Sequence, residues 1–282
     1  MALPEDDVEE IEPEDAIARI LDHDHDAIVL GPGLRPGLAT AELVQALLTV
    51  PEESSGRGPA GASPRPSEGA PIVLDAEALR SLATLDRWWE GVHRAAVLTP
   101  HAGEFGRLRA GAGVEPGSDG DLSADDEARA RAARDAAATW RQVVVLKGAR
   151  TVIAAPDGRV AVAPFENPAM ASGGTGDVLA GVIGALLAQG LDPFAAARLG
   201  VYLHGLAGEA VRDRLGDAGL LASDLPDQVA FARKRLAALL PKTRKPVGFG
   251  VREASAEGRE SAAAEAPTPA EVRPPATVGR RS

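Results

Sequence analysis

The chain has 282 residues, 45% of them hydrophobic and 3% aromatic, and it carries a formal net charge of -11. This acidic balance argues against a nucleic-acid-binding surface, which would be basic, and the absence of cysteine excludes disulfides and Cys-ligated metals while fitting a cytoplasmic protein. No apolar run reaches about 18 residues and the N-terminal segment is acidic, so we expect neither a membrane span nor a signal peptide.

The first half of the chain alternates apolar segments, typical of buried strands, with segments of helical periodicity. In chain order, the pattern predicts a helix over 13–21, a strand over 26–30, a helix over 38–48, a strand over 71–74, a helix through Trp88 and Trp89, a strand over 95–98 and a helix over 123–140. Residues 51–70 are rich in Pro, Gly and Ser and contain almost nothing that can build a core. We therefore predict a flexible inserted loop there.

The second half of the chain continues the alternation and then becomes helical. The pattern predicts a buried strand over 143–146, a hairpin of strands over about 151–155 and 160–163 around Asp157-Gly158, and helices over 175–189, 193–215 and about 223–240. Residues 241–282 are rich in Pro, Ala, Glu and Arg and lack apolar periodicity. We therefore predict one domain over 1–240, followed by a disordered tail.

Strands that alternate with helices predict a mainly parallel sheet with helices on both faces. Ligands in such folds bind at the carboxyl ends of the strands. The sequence places its chemically notable residues at those ends, namely Gly31-Pro32-Gly33, Asp75, His101 with Glu104, and Lys147-Gly148. This clustering predicts a ligand site at one edge of the sheet.

The segment from Gly173 to Asp177 leads directly into an apolar helix. Glycines bring backbone N–H groups close to a ligand, and a helix start adds free N–H groups and a partial positive charge, so the segment predicts a phosphate site formed by Gly174, Thr175 and Gly176. A carboxylate at Asp177 would repel phosphate unless it acts as a base towards an attacking hydroxyl. The alternative is that Asp177 only complements the helix dipole and that the glycines only form a turn.

Three further features at the strand ends have two interpretations each. Lys147 and Arg150 can meet nucleotide phosphates, or they can belong to an ordinary charged turn. His101 can bind substrate and Glu104 a metal, but a Glu in the first turn of a helix is commonplace. The turn at Gly31-Pro32-Gly33 can bring backbone close to a ligand, or it can be a plain turn.

An ordered series of segments goes beyond these separate features. The segments are AIVLGPGL at 27–34, PIVLDAEAL at 71–79, LTPHAGEF at 98–105, VVVLKGART at 143–151, NPAMASGGTGDVLAG at 167–181, LHGLAGE at 203–209 and GLLASDL at 219–225. Taken in this order, they resemble the ADP-dependent NAD(P)H-hydrate dehydratase family. The resemblance covers roughly residues 25–235, and it implies a ribokinase-like three-layer α/β/α sandwich.

The resemblance also implies a reaction. Members of this family repair NADH and NADPH to whose nicotinamide ring water has added. Phosphate from ADP is transferred to the ring hydroxyl of the S epimer, and elimination of that phosphate restores the dihydronicotinamide, with AMP and phosphate as the other products. Phosphorylation is chemically reasonable because hydroxide is a poor leaving group.

The resemblance assigns roles to individual residues. It implies that Gly33, His101 and Asp177 contact the hydrated dinucleotide, with Asp177 beside the hydroxyl as the catalytic residue. The segment that holds the adenine nucleotide is implied to comprise Lys147, Gly148, Ala149, Arg150 and Thr151, together with Gly176. Glu104 falls where related kinases keep a Glu near magnesium, so we expect Mg²⁺ as the metal.

The family usually opens with further βα units before the segment that corresponds to residues 2–5, so we expect an N-terminally shortened fold. The implied partners are ADP, hydrated NADH or NADPH, an NAD(P)H-hydrate epimerase, and further copies of the chain, since the family can form tetramers. Two alternatives stay open. One is a ribokinase-like ATP-dependent kinase of a small hydroxylated vitamin precursor, and the other is an inactive, truncated nucleotide-binding remnant.

Overall fold

The computed structural model describes residues 13–49, 69–92, 94–114, 122 and 125–239. Residues 51–68 of the predicted inserted loop and the whole predicted tail over 241–282 lie outside the described residues. No helix in the described ranges is long and apolar enough to cross a membrane.

The described part of the chain contains a six-stranded sheet whose strands follow one another in sequence order. The strands are β1 (Ile28–Leu30), β2 (Ile72–Leu74), β3 (Ala96–Leu98), β4 (Val143–Leu146), β5 (Val152–Ala154) and β6 (Val160–Val162). Strands β1 to β4 are parallel, whereas β5 and β6 are antiparallel to their neighbours. The mainly parallel sheet and the terminal hairpin are therefore confirmed.

Six of the eight helices in the described residues lie close to their predicted bounds, and the other two, which follow β2 and β3, were not predicted with the bounds that the structure shows. The eight helices are α1 (Pro13–Leu21), α2 (Leu38–Thr49), α3 (Ala76–Leu82), α4 (Ala102–Gly111), α5 (Asp126–Trp140), α6 (Thr175–Ala188), α7 (Pro193–Leu215) and α8 (Leu225–Leu239). Short 3₁₀ turns span Trp88–Gly91, Pro168–Met170 and Ala222–Asp224. Aspartates supply the N-caps where the chain enters two of the longer helices, because the carboxylate of Asp125 accepts from Ala128 N–H at 3.0 Å and that of Asp192 from Ala195 N–H at 3.1 Å.

The predicted helix through Trp88 and Trp89 is wrong as a continuous element. Helix α3 ends at Leu82, and the tryptophans belong to a separate 3₁₀ turn whose N-cap is Arg87, with a left-handed φ of 47°. The buried Trp88 ring packs against Trp140 with ring centroids 5.6 Å apart. Burial of an aromatic ring therefore determines the local structure here, at the expense of helical propensity.

Helices cover both faces of the sheet, which is the predicted three-layer arrangement. Side chains alternate between the two faces along a strand, so Ile72 and Leu74 of β2 join one buried cluster while Val73 joins the other. The first cluster is completed by α2, α3, α4 and α5, and the second by α6 and α7. Helix α8 packs on α7 through a third cluster that contains Val211 and Leu225. Both faces of β2, β3 and β4 are thereby buried, as their apolar runs predict, whereas Val29 of the edge strand β1 is 40% exposed.

Candidate active site

The carboxyl ends of β3 and β4 lie side by side and bring His101 next to Lys147. The two residues form an isolated parallel bridge beyond the strand ends, and Lys147 N–H donates to Pro100 O at 2.8 Å. The parallel register of the sheet thus carries residues that are 46 positions apart onto one edge, where the strand-end clustering predicted them.

A buried ion pair lies at this edge. Lys147 Nζ is 2.6 Å from Asp75 Oδ1 and 3.8 Å from Glu104 Oε2. The side chains of Asp75 and Glu104 are 1% and 4% exposed, while that of Lys147 is 19% exposed. Carboxylates buried to this degree are costly unless they are paired, so the lysine ammonium is fixed between them. Its remaining exposure leaves it accessible from the ligand side.

The start of α6 faces this ammonium. A Cβ atom at Gly176 would lie 3.2 Å from Lys147 Nζ and 3.6 Å from Asp75 Oδ2, so only a glycine leaves this approach open. The N-cap Gly174 has a φ of 83°, a left-handed conformation that favours glycine. The first N–H groups of a helix have no partner within it, so free donors and a lysine charge converge at one point. This arrangement is suited to a phosphate group.

Helix α6 is fixed in place by hydrogen bonds around Thr175. Thr175 Oγ1 donates to Met170 O at 2.8 Å, and His204 Nε2 on α7 donates to Thr175 O at 2.9 Å. Burial, the largest cause, and the nearby charge of Lys147 together lower the pKa of His204 to about 4, against the opposing effect of the hydrogen bond to Thr175. His204 is therefore neutral at physiological pH, and it acts as a hydrogen-bond donor that holds α6 against α7.

A cleft of about 680 Å³ opens beside these groups. Its apolar wall includes Phe165, Leu179 and Val201. The predicted site residues that line it are His101, Lys147, Gly148, Ala149, Thr151, Thr175 and Gly176. The predicted residues that do not line it are Gly33, Glu104, Arg150, Gly174 and Asp177. Most of the predicted nucleotide residues therefore line one cleft, with Arg150 and Gly174 as exceptions, and of the predicted substrate residues His101 lines it while Gly33 and Asp177 do not.

Asp177 follows Gly176 in the first turn of α6 and is exposed. Within the described part of the chain, its carboxylate takes part in no hydrogen bond or ion pair. It therefore directly follows the glycines of the predicted phosphate site, with its side chain open to solvent.

The two glycines of the turn after β1 differ in their surroundings, since Gly31 is closely packed and Gly33 is not. Gly31 is buried with a φ of 124°, and a Cβ there would lie only 1.8 Å from Asp75 O. Gly33 is exposed with a φ of 78°, and a Cβ added there would meet no atom within 4 Å. The close approach at Gly31 lets β1 and β2 end together beside Asp75. Gly33 leaves backbone accessible, as a ligand contact requires.

His101 and Glu104 cap α4, which limits what else they can bind. Glu104 Oε2 accepts from His101 N–H at 2.9 Å, and His101 Nδ1 accepts from Gly103 N–H at 3.0 Å. Glu104 Oε1 lies 3.3 Å from His101 Nε2, so both carboxylate oxygens already have neighbours. The described residues contain no group of three or more His, Cys, Asp or Glu side chains that could hold a metal ion. The capping box leaves Glu104 a poor ligand for the expected Mg²⁺.

Asp75 is a member of this site to which the sequence assigned no role beyond its place at a strand end. Its partner, Lys147, is 72 positions away, and no local pattern predicts that pairing. The sequence signal that could have indicated the pairing is the position of Asp75 directly after a fully buried apolar strand. An acidic residue at such a position must either be paired or reach solvent.

Comparisons with known proteins agree with this geometry. A family model described as NAD(P)H-hydrate dehydratase matches residues 2–230. A bifunctional NAD(P)H-hydrate repair enzyme of Moorella thermoacetica is 40% identical over 211 residues, which cover 75% of this chain and 35% of that relative. An ADP-dependent (S)-NAD(P)H-hydrate dehydratase of Neisseria meningitidis is 34% identical over 217 residues, or 76% of this chain and 64% of that relative. The chain therefore spans about a third of the bifunctional relative and under two thirds of the other.

Solved structures are also similar to this chain. The ADP/ATP-dependent NAD(P)H-hydrate dehydratase of Bacillus subtilis, co-crystallised with ATP and Mg²⁺, has a TM-score of 0.60 at 34% identity and covers 78% of this chain and 70% of its own. A ribokinase-like superfamily protein of Enterococcus faecalis has a TM-score of 0.56 at 23% identity, covering 79% of this chain and 68% of its own. The ribokinase-like α/β fold is thereby confirmed.

Proposed function

The chain belongs to the NAD(P)H-hydrate dehydratase family, and from this premise we propose that it dehydrates the S epimer of hydrated NADH and NADPH with ADP as the phosphate donor. The observation that carries the proposal is the phosphate site, in which Lys147 Nζ, held 2.6 Å from Asp75 Oδ1, faces the glycine start of α6. This site is followed directly by an exposed carboxylate at Asp177.

The cleft orients the nucleotide. Its apolar wall, with Phe165 and Val201, suits an adenine ring, while Lys147 and the first turn of α6 attract phosphates. In this proposal the terminal phosphate of ADP binds at Gly176, where the absence of a Cβ atom keeps the approach to Lys147 Nζ open. Gly148 and Ala149 line the same cleft and supply backbone groups to the nucleotide.

The reaction runs in two steps at the mouth of the cleft. Asp177 accepts the proton of the ring hydroxyl, the hydroxyl oxygen bonds to the terminal phosphorus of ADP, and the bond to AMP breaks with its electrons on the AMP oxygen. The ring carbon–oxygen bond then breaks and phosphate leaves. A proton lost from the neighbouring ring carbon leaves its electrons as the restored double bond. Lys147 stabilises the negative charge that develops on the transferred phosphoryl group.

The expected Mg²⁺ does not fit the side chains of this site. Glu104 is engaged in the cap of α4, Asp75 is paired with Lys147, and the described residues form no cluster of metal ligands. We therefore assign no step to the metal and propose that Mg²⁺ enters as its complex with ADP, whose phosphates supply its ligands.

The comparisons with known proteins also bear on the alternative function and on the expected partners. The vitamin-precursor kinase is not favoured, because the family model that matches is that of the dehydratase. We propose that the protein works with an NAD(P)H-hydrate epimerase, since one relative is a bifunctional repair enzyme. Assembly into homo-oligomers and a cytoplasmic location stay predictions.

Purified full-length chain tests the function directly. With ADP and Mg²⁺, it should restore absorbance near 340 nm from hydrated NADH and release AMP and phosphate in equal amounts. Asp177→Asn should reduce turnover by roughly 100-fold or more while retaining ADP binding, as expected for loss of a general base.

Asp227→Asn is the matched control, since Asp227 also lies in the first turn of a helix, α8, where it only complements the helix dipole. This variant should turn over like the parent. Equal turnover in the parent and Asp177→Asn would overturn the base role, and phosphorylation of a small alcohol without dehydration would overturn the proposed reaction.

A further inference from the structure

A buried arginine lies behind the nucleotide loop, which we define as residues 147–151. Arg129 belongs to the first turn of α5, and its side chain is 6% exposed. Its Nη1 donates to Ala149 O, and its Nη2 donates to Leu146 O at 3.3 Å. One guanidinium thus binds the backbone on both sides of Lys147 and Gly148. No part of Arg129 lines the cleft.

The guanidinium also packs directly against Gly148. A Cβ atom at Gly148 would lie 2.8 Å from Arg129 Nη2, and Gly148 has a φ of 153°. Gly148 and Ala149 line the cleft, so the same short stretch of backbone contacts Arg129 on one side and the ligand space on the other. A change in the position of Arg129 must therefore move the surface that the nucleotide meets.

Arg129 shares a carboxylate with Arg150, which is a member of the nucleotide loop. Asp126 Oδ1 lies 3.9 Å from Arg129 Nη1, while Asp126 Oδ2 lies 2.8 Å from Arg150 Nη1. One partly exposed carboxylate is therefore shared between two arginines. Burial lowers the pKa of Arg129 and Asp126 opposes the shift, but an arginine stays protonated in proteins. Arg129 and Arg150 together exceed the charge of Asp126 by one, which offsets part of the negative charge that Asp75 and Glu104 place around Lys147.

From these contacts we propose that Arg129 is a positioning residue for nucleotide binding, a role that rests on the proposed function of the loop. Its two hydrogen bonds fix the backbone of Gly148 and Ala149, and its charge favours the bound anion without touching it. A planar guanidinium suits two carbonyl groups because its donors form a rigid fork, which a lysine ammonium does not reproduce.

The test distinguishes an effect on nucleotide binding from an effect on substrate binding, turnover or folding. Arg129→Gln should raise the Kd and KM for ADP by about tenfold or more, because two buried carbonyls lose charged donors. The KM for hydrated NADH and the kcat should change by less than about threefold, since Arg129 does not reach the substrate side. Arg129→Lys should fall between the parent and Arg129→Gln, and it serves as the test variant if Arg129→Gln fails to fold.

Arg131→Gln is the matched control, because Arg131 lies on the same helix with its side chain 57% exposed and, among the described residues, pairs with Glu127 alone on the helix surface. It should leave the Kd for ADP unchanged. A folded Arg129 variant with the parent's Kd for ADP would overturn the proposal, as would equal rises in the KM for both substrates.

Calorimetric binding of ADP does not require turnover. If the chain binds ADP but does not dehydrate hydrated NADH, the proposed function is wrong, and the role of Arg129 is then judged by the Kd for ADP alone. If the chain binds no ADP, both proposals are wrong.

Discussion

Asp75 follows β2 and Lys147 follows β4, and the two residues form an ion pair across the end of β3, which lies between those strands. Nζ of Lys147 lies 2.6 Å from Oδ1 of Asp75. The carboxylate is 1% exposed, so the pair is an internal part of the sheet edge. A cation fixed in this way needs little rearrangement when a phosphate arrives, which is the condition under which electrostatic stabilisation of a transition state is largest.

Breaking this pair should cost both stability and nucleotide use. Lys147→Met leaves a buried carboxylate without its ammonium partner, and we expect the free energy of unfolding to fall by about 3 kcal/mol. Asp75→Asn should reduce kcat/KM for ADP by about tenfold or more, because the ammonium loses its fixed position. Urea unfolding and initial rates measure the two effects.

The double variant Asp75→Asn/Lys147→Met separates the effect on stability from the effect on turnover. It should recover part of the lost stability, since the buried charge of Asp75 is removed and Glu104 keeps its hydrogen bond from His101 N–H, while turnover stays low. Recovery of turnover in the double variant would contradict a direct role for the lysine.

Two glycines on α6 provide the sharpest test of the phosphate site. Alanine is a better helix former than glycine by about 1 kcal/mol, so Gly176→Ala and Gly181→Ala should both keep the helix. A Cβ at Gly176 meets Lys147 Nζ at 3.2 Å, whereas nothing lies within 4 Å at Gly181. We expect Gly176→Ala to weaken ADP binding by about tenfold or more and Gly181→Ala to bind like the parent. Similar ADP affinities in the two variants would contradict the assignment.

Alanine substitutions at the two glycines of the turn after β1 should have different effects, one on stability and the other on substrate binding. Gly31→Ala would place its Cβ 1.8 Å from Asp75 O, so we expect a loss of more than about 3 kcal/mol in unfolding free energy, or no folded protein. Gly33→Ala meets no atom within 4 Å, and its left-handed φ should cost only about 1 kcal/mol. If Gly33 contacts the hydrated dinucleotide, this variant should fold and show a higher KM for that substrate alone. An unchanged KM would remove Gly33 from the substrate site.

Much of this fold is readable from the sequence, because a parallel sheet buried on both faces demands continuous apolar strands such as Val143–Leu146. Residues that directly follow such strands must meet at one edge, and for that reason the proximity of His101 to Lys147 was predictable. The pairing of Asp75 with Lys147 and the contact of Arg129 with the loop were not predicted. Both depend on side chains that meet through tertiary packing, which no local spacing records.

The pKa of His204 makes the stability of the protein depend on pH. Burial lowers this pKa to about 4 in the folded protein, below its ordinary value of 6.5. Between these values the unfolded chain binds more protons than the folded chain, so stability must fall as the pH falls. The contribution of neutral His204 is fully present above about pH 6.5 and is lost as the pH approaches 4. It amounts to about 3 kcal/mol at most, and to less because part of the ring is exposed to solvent.

His204→Gln keeps an amide that can donate to Thr175 O but does not titrate in this range. The free energy of unfolding of the parent should therefore decrease more steeply between pH 7 and about pH 4.5 than that of the variant. Urea unfolding at a series of pH values measures both slopes. Parallel curves for the parent and His204→Gln would show that this histidine does not carry the pH dependence, and the assignment of a neutral donor beneath α6 would then have to be abandoned.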